Sequence, residues 1–163
     1  MESEAEKRKH RCCFTGHRPE KLRRSEQEIL AELEREIRRA VADGFTVFIT
    51  GMARGIDIDA GEIVLQLRAE GLLIRLICAS PYQGFEGSWN LEWQRRYNAV
   101  MKDADLVRYI CTRYHRGCFQ IRNEWMVNHS SRVIAVFNGQ PSGTKNTINY
   151  AIRQGVPVVQ IEG

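Results

Sequence analysis

Phe45-Thr46-Val47-Phe48-Ile49-Thr50-Gly51-Met52-Ala53-Arg54-Gly55-Ile56-Asp57 is a short apolar run that stops on Thr50-Gly51 and passes through a second glycine into a helical pattern. Such a run reads as a buried strand, and the pattern after it as a helix that Asp57 is predicted to cap. The glycines admit unusual dihedrals and a close ligand, and Arg54 adds a cation to the same turn. A helix N-terminus offers unpaired N–H groups and a partial positive charge, so an anion held at this turn is stabilised twice over.

The flanking sequence repeats the unit. Arg11 to Phe14 is the strand before it, broken by Thr15-Gly16-His17-Arg18-Pro19. Ser25-x-x-Glu28 is a capping box, and Ile29, Leu33, Ile37 and Ala40 recur at helical spacing until Gly44. Downstream, Ile56 to Leu67 predicts a helix, Leu72 to Cys78 a strand, Trp89 to Lys102 a helix and Asp105 to Ile110 a strand. Phe119 to His129 follows as a helix, Arg132 to Phe137 as a strand, then a helix that Thr144 is predicted to cap, and Val156 to Ile161 as a last strand. Pro157 lacks an N–H donor and suits a strand at the sheet edge. Alternation of strand and helix predicts an α/β fold, doubly wound, with a mainly parallel sheet and helices on both faces. Residues 1–10 read as a flexible arm and residues 11–163 as a single domain.

Composition narrows the function. The net charge of +4 is scattered, so it allows an anionic ligand without requiring nucleic acid. Five cysteines with no CxxC pair indicate neither a zinc knuckle nor a disulfide framework, and most lie in apolar strands as small hydrophobes. Cys118, at a helix start, is too isolated a signal for a catalytic thiol. The charged N-terminus has no apolar signal-peptide core, and no apolar run reaches membrane-spanning length. A cytoplasmic protein without metal, cofactor or membrane partner is expected.

Ligands of open parallel sheets collect at the carboxyl ends of the strands, and the unusual residues fall there. They are Thr15, Gly16, His17 and Arg18 after the first strand; Gly51, Arg54, Gly55 and Asp57 after the second; Ser80, Tyr82 and Trp89 after the third; and Asn138, Gly139, Ser142, Gly143, Thr144 and Lys145 after the fifth. Arg122 and Asn123 open the intervening helix. The turn Pro141-Ser142-Gly143-Thr144-Lys145 joins a glycine, two hydroxyls and a lysine to a helix start, which suits phosphate. It lacks the G-x-x-x-x-G-K-S/T spacing of a nucleotide-hydrolysing P-loop, and no turn carries G-x-G-x-x-G. His17 is a candidate for anion contact or, if the chain catalyses, for proton transfer, with Asp57 and Glu86 as the accompanying carboxylates.

Cys13-Phe14-Thr15-Gly16-His17-Arg18-Pro19, Thr50-Gly51-Met52-Ala53-Arg54-Gly55-Ile56-Asp57, Ser80-Pro81-Tyr82, Arg122-Asn123-x-x-Met126 and Gly143-Thr144-x-x-Thr147 occur in an order that resembles the YpsA family of the SLOG superfamily, over roughly residues 11 to 161. The resemblance implies a Rossmann-like fold and a nucleotide or nucleotide-derived ligand, similar to ADP-ribose or NAD, bound by a sensor or regulator. It also implies a homodimer, although no surface is assigned to one. Two relatives supply alternatives. Lonely Guy phosphoribohydrolases cleave a nucleotide N-glycosidic bond with the glutamate of P-G-G-x-G-T-x-x-E, where this chain has Thr147. A hydroxyl cannot stabilise an oxocarbenium-like charge as a carboxylate does, which weakens the hydrolase alternative. The Rossmann-like domain of DprA shares the Arg54-Gly55-Ile56-Asp57 turn, so single-stranded nucleic acid is the other candidate partner, stacked on Tyr82, Phe85 or Trp89.

Overall fold

In the computed structural model, which describes residues 1–163, the sheet is six-stranded and every pairing is parallel. In chain order the elements are α1 (Glu4–Arg8), β1 (Arg11–Gly16), α2 (Glu26–Ala42), β2 (Val47–Thr50), α3 (Ile56–Ala69), β3 (Arg75–Ser80), α4 (Leu91–Asp103), β4 (Leu106–Tyr109), α5 (Cys118–Asn128), β5 (Arg132–Phe137), α6 (Gly143–Arg153) and β6 (Val158–Glu162). The strand order is β4-β3-β2-β1-β5-β6. The chain therefore walks outward from β1 to β4, then crosses back to lay β5 on the other side of β1. That reversal makes a crevice between the carboxyl ends of β1 and β5, where no helix fills the edge.

Local chemistry explains the elements. Ser25 accepts from the Glu28 N–H at the start of α2, whose Ile29, Leu33, Ile37 and Ala40 are fully buried. Each large aliphatic side chain buried this way contributes roughly 1.5–3 kcal/mol. That stripe joins α3, α4 and one face of the sheet in a core containing Phe14, Phe48, Leu76 and Ile134. On the opposite face α5 and α6 cover Cys13, Ile49, Val133 and Ala135 with Met126, Ile148 and Ala151. Pro157 precedes β6, which lies at the sheet edge.

Several boundaries differ from expectation. The third strand starts at Arg75, not Leu72, because the Leu72 N–H is still bonded to Leu67 O at the end of α3; sheet pairing begins where Arg75 N–H donates to Thr46 O. Leu73 is left 92% exposed. Asp57 does not cap α3, since Gly55 at φ 96° holds the cap position and Asp57 lies inside the first turn. Likewise Ser142, not Thr144, caps α6, its Oγ accepting from the Lys145 N–H at 3.2 Å. Ahead of β1, α1 is tied down by Arg8, which donates to Ser130 O, and by an Arg11–Glu4 ion pair.

Candidate functional site

The crevice opens into a cleft of ≈ 1120 Å³ along the carboxyl edge of the sheet. Its contents follow strand order. The aromatic loop comes after β3, Ala53, Arg54 and Asp57 after β2, Thr15 to Arg18 at the end of β1, and Asn138 with Gln140 to Thr144 after β5.

The β1 and β2 turns are pressed together. A Cβ on Gly16 would lie 2.5 Å from Ile56 Cβ, and one on Gly55 2.7 Å from the His17 carbonyl oxygen, so Gly16 makes room for the Ile56 side chain and Gly55 for the backbone at His17. Gly55 thus stays out of the cleft. Between them Met52, fully buried, adopts φ 64°, a left-handed conformation that costs a non-glycine residue energy and is held by its surroundings. Arg54 pairs with Glu20 at 2.7 and 3.1 Å, not with Asp57 or Asp59, because the turn after β1 brings Glu20 alongside; Asp59 is taken by Arg96 at 2.6 Å.

His17 is buried beside Phe137, and its Nε2 accepts from the Asn138 N–H at 3.0 Å. An accepting Nε2 leaves the ring proton on Nδ1, and burial lowers the His17 pKa, so the ring is neutral. It works as a clasp across the β1/β5 crevice. Asn138 is equally committed, its Nδ2 donating to Lys21 O and its Oδ1 accepting from the Gln140 N–H.

The floor beside β2 is built differently. Thr50 Oγ1 donates to Asp57 O at 2.6 Å, and the Asp57 Oδ2 accepts from the Ala53 N–H at 3.2 Å. Arg122 enters from α5, donating through Nη1 to Gly51 O and through Nε to Asn123 Oδ1. Gly51 itself is buried under both charges, since a Cβ there would lie 2.9 Å from Arg122 Cζ and from Asp57 Oδ2. Asp57 and Arg122 are each 5% exposed. Burial pushes the Asp57 carboxyl up to about 6 against the pull of Arg122, and burial lowers the Arg122 pKa against the pull of Asp57. The Asp57 Oδ1 has no hydrogen-bond partner.

On the β3 side Tyr82 stacks on Phe119 with centroids 6.5 Å apart, Phe85 meets Trp89 edge to face at 5.0 Å, and Trp89 meets Tyr97 at 5.6 Å. Trp93 packs on the core and carries Arg96 over its ring at 4.2 Å. Ser80 is fully buried and bonded to Tyr97 Oη at 2.7 Å, which removes it from the cleft. At the β5 end Ser142, Gly143 and Thr144 line the space, while Gly139 only turns the chain at φ 87°. Lys145 is exposed on α6 and outside the lining, because the third position of the helix faces away from the crevice. Thr147 is buried and donates to Gly143 O at 2.9 Å.

The cleft therefore gathers Thr15, Gly16, His17, Arg18, Arg54, Asp57, Tyr82, Trp89, Arg122, Asn123, Asn138, Ser142, Gly143 and Thr144, and leaves out Gly51, Gly55, Ser80, Gly139 and Lys145. It also contains residues that motif reading passed over, chiefly Lys21, Arg23 and Phe119. Phe119 had a signal, standing one helical turn before Arg122. Lys21, which ends a single 3-10 turn at Pro19–Lys21, and Arg23 beyond it carried no such spacing. No group of three or more His, Cys, Asp or Glu could hold a metal ion, and no helix is long and apolar enough to cross a membrane.

Comparison with known proteins places these features in context. The model of the YspA SLOG family (YpsA) matches residues 12–156. The SPbeta prophage-derived protein YoqJ of Bacillus subtilis, an uncharacterised protein, is 34% identical over 116 residues, 64% of this chain and 68% of its own. A UPF0398 protein of Staphylococcus haemolyticus is 26% identical over 55% of this chain and 49% of its own. Among solved structures, DNA processing protein A (DprA) of Streptococcus pneumoniae superposes with a TM-score of 0.68 at 19% identity, over 95% of this chain and 51% of that one. The DprA of Helicobacter pylori, studied for its single-stranded DNA binding, gives 0.65 at 18% identity over 94% and 65%. These likenesses establish the Rossmann-like fold. The chain spans about half of the staphylococcal relative and of the pneumococcal DprA.

Proposed function

The chain belongs to the YspA SLOG family, and from that premise we propose that it binds a nucleotide or nucleotide-derived ligand, of the ADP-ribose or NAD kind, along the cleft, as a cytoplasmic sensor or regulator. The observation that carries the reading is the order of chemistry along the sheet edge. Aromatic rings follow β3; the N-terminus of α6, with Arg18 and Lys21 nearby, flanks the β1/β5 crevice. Three strand spacings of about 4.8 Å separate β3 from β5, or about 14 Å, close to the length of an extended nucleoside diphosphate. A base stacked on Tyr82 and Phe119 then places its phosphates at Ser142 to Thr144, where helix N–H groups and the dipole stabilise them. Residues 11–163 act as one domain in this reading, and pairing of two chains is compatible with it.

Titration calorimetry with ADP, ADP-ribose and NAD tests the proposal. We expect binding by at least one, weakened several-fold in Phe119→Ala and in Arg18→Ala. Absence of heat from all three ligands counts against it, as does unchanged affinity in both variants. A second reading, a single-stranded nucleic-acid partner, is favoured by the DprA-like fold together with the exposed rings of Tyr114 and Phe119. Its signature is oligonucleotide retention that falls steeply as salt rises.

A further inference from the structure

We propose that the floor of the cleft selects a sugar with free hydroxyls, a ribonucleotide rather than a deoxynucleotide or a DNA strand, and that Asp57 is the residue that makes the selection. The inference rests on the nucleotide reading above and narrows it.

Of the two carboxylates in the cleft, Glu20 is occupied by Arg54, which leaves Asp57 as the one with capacity to spare. Asp57 is nineteen-twentieths buried, yet only Oδ2 is used, by the Ala53 N–H, and Oδ1 is unpartnered. A buried acceptor left unmade is costly, and more so when charged, so a chain that keeps one in a ligand-sized cleft keeps it for an incoming donor. A phosphate brings only acceptors and is repelled here. Arg122, whose charge acts on Asp57, is held by the Oδ1 of Asn123, another residue of the cleft lining, whose two Nδ2 hydrogens have no protein acceptor. A spare acceptor and a spare donor lining one cleft suit a sugar, whose hydroxyls both donate and accept.

Position agrees with chemistry. Asp57 follows β2, between the aromatic wall after β3 and the α6 N-terminus after β5, so it faces the part of a nucleotide that joins base to phosphate. The internal sugars of DNA carry no free hydroxyl, and a site built to bond a hydroxyl rejects the analogue that lacks it, because its own polar groups are then stranded.

The experiment is calorimetric titration of the full chain with ADP, 2′-deoxy-ADP and 2′,3′-dideoxy-ADP, on the wild type and on Asp57→Asn. The wild type is expected to bind ADP at least about tenfold more tightly than the dideoxy compound, and Asp57→Asn to bring the three ligands within about threefold of one another. The wild-type comparison needs no variant, and a thermal transition shows whether Asp57→Asn is folded. Equal affinity of the wild type for all three overturns the selection and leaves nucleotide binding standing. A tenfold preference that survives in folded Asp57→Asn overturns the role of Asp57. If none of the three binds, the nucleotide reading falls and this inference with it.

Discussion

A buried carboxylate held in reserve should weaken the fold, and the deficit is measurable as a dependence of stability on pH. In the folded chain burial raises the Asp57 carboxyl to about 6, whereas unfolded it titrates at the ordinary 3.8. Between those values the folded state binds more protons, so acid stabilises it relative to the unfolded state. The stabilising contribution is fully present below pH 3.8 and is lost as pH rises through 6. At about 1.36 kcal/mol per pH unit the whole effect is about 3 kcal/mol, of which about 2 kcal/mol falls between pH 4.5 and 7.5. Urea unfolding of the wild type and of Asp57→Asn across that range isolates it, because Asp59, also raised to about 6 by burial, and His17 titrate in both proteins and cancel in the difference. The wild type should gain about 2 kcal/mol on the variant as pH falls from 7.5 to 4.5, a relative midpoint shift of about 1 M urea. A flat difference would mean that Asp57 is as hydrated folded as unfolded. The opposite slope would mean a tight ion pair with Arg122 and no spare acceptor, and the reasoning about the floor would be refuted.

Three further substitutions separate fold from site. Gly51→Ala puts a methyl group 2.9 Å from both Arg122 and Asp57, so it displaces a buried charged hydrogen bond and should cost roughly 1–3 kcal/mol by urea unfolding. Gly143→Ala meets no atom within 4 Å and is not at positive φ, so stability should stay within about 0.5 kcal/mol while ADP affinity falls, the methyl lying where phosphate approaches the α6 amides. Unchanged affinity there would move the phosphate elsewhere. Lys145→Ala should alter ADP affinity less than about twofold, since a lone exposed charge outside the lining is screened by solvent.

Legibility in the sequence tracked the range of the interaction concerned. The buried stripe of α2 and its Ser25 cap repeat within a turn, and the apolar strands within a few residues, so their periodicity is visible in one chain. Parallel order follows from alternation. Boundaries failed where a local bond competed: Leu72 is held by the end of α3, and Gly55 takes the cap that a carboxylate at Asp57 would ordinarily take. Partners failed where they are distant in sequence. Arg54 lies 34 residues from Glu20, and Arg122 lies 71 from Gly51, separations at which spacing holds no information.

The same distinction decides which motif residues matter. Motifs mark residues whose chemistry is unusual, but the fold spends much of that chemistry on itself: His17 Nε2 on Asn138, Ser80 on Tyr97, the Thr147 hydroxyl on its own helix. A residue so committed offers a ligand little without breaking a bond the protein already has. Asp57 and Asn123 are different in kind, because the protein buries them in the cleft lining and leaves an acceptor on one and a donor on the other unspent. Unspent hydrogen-bonding capacity at a buried position costs stability; Glu36, Ser130 and Arg132 each bury such an atom away from the cleft, so it is the place of Asp57 in the cleft lining that points to a partner from outside the chain. At such a position it is a sharper guide to ligand chemistry than motif membership, and at Asp57 it favours a hydroxyl-bearing group over a phosphate.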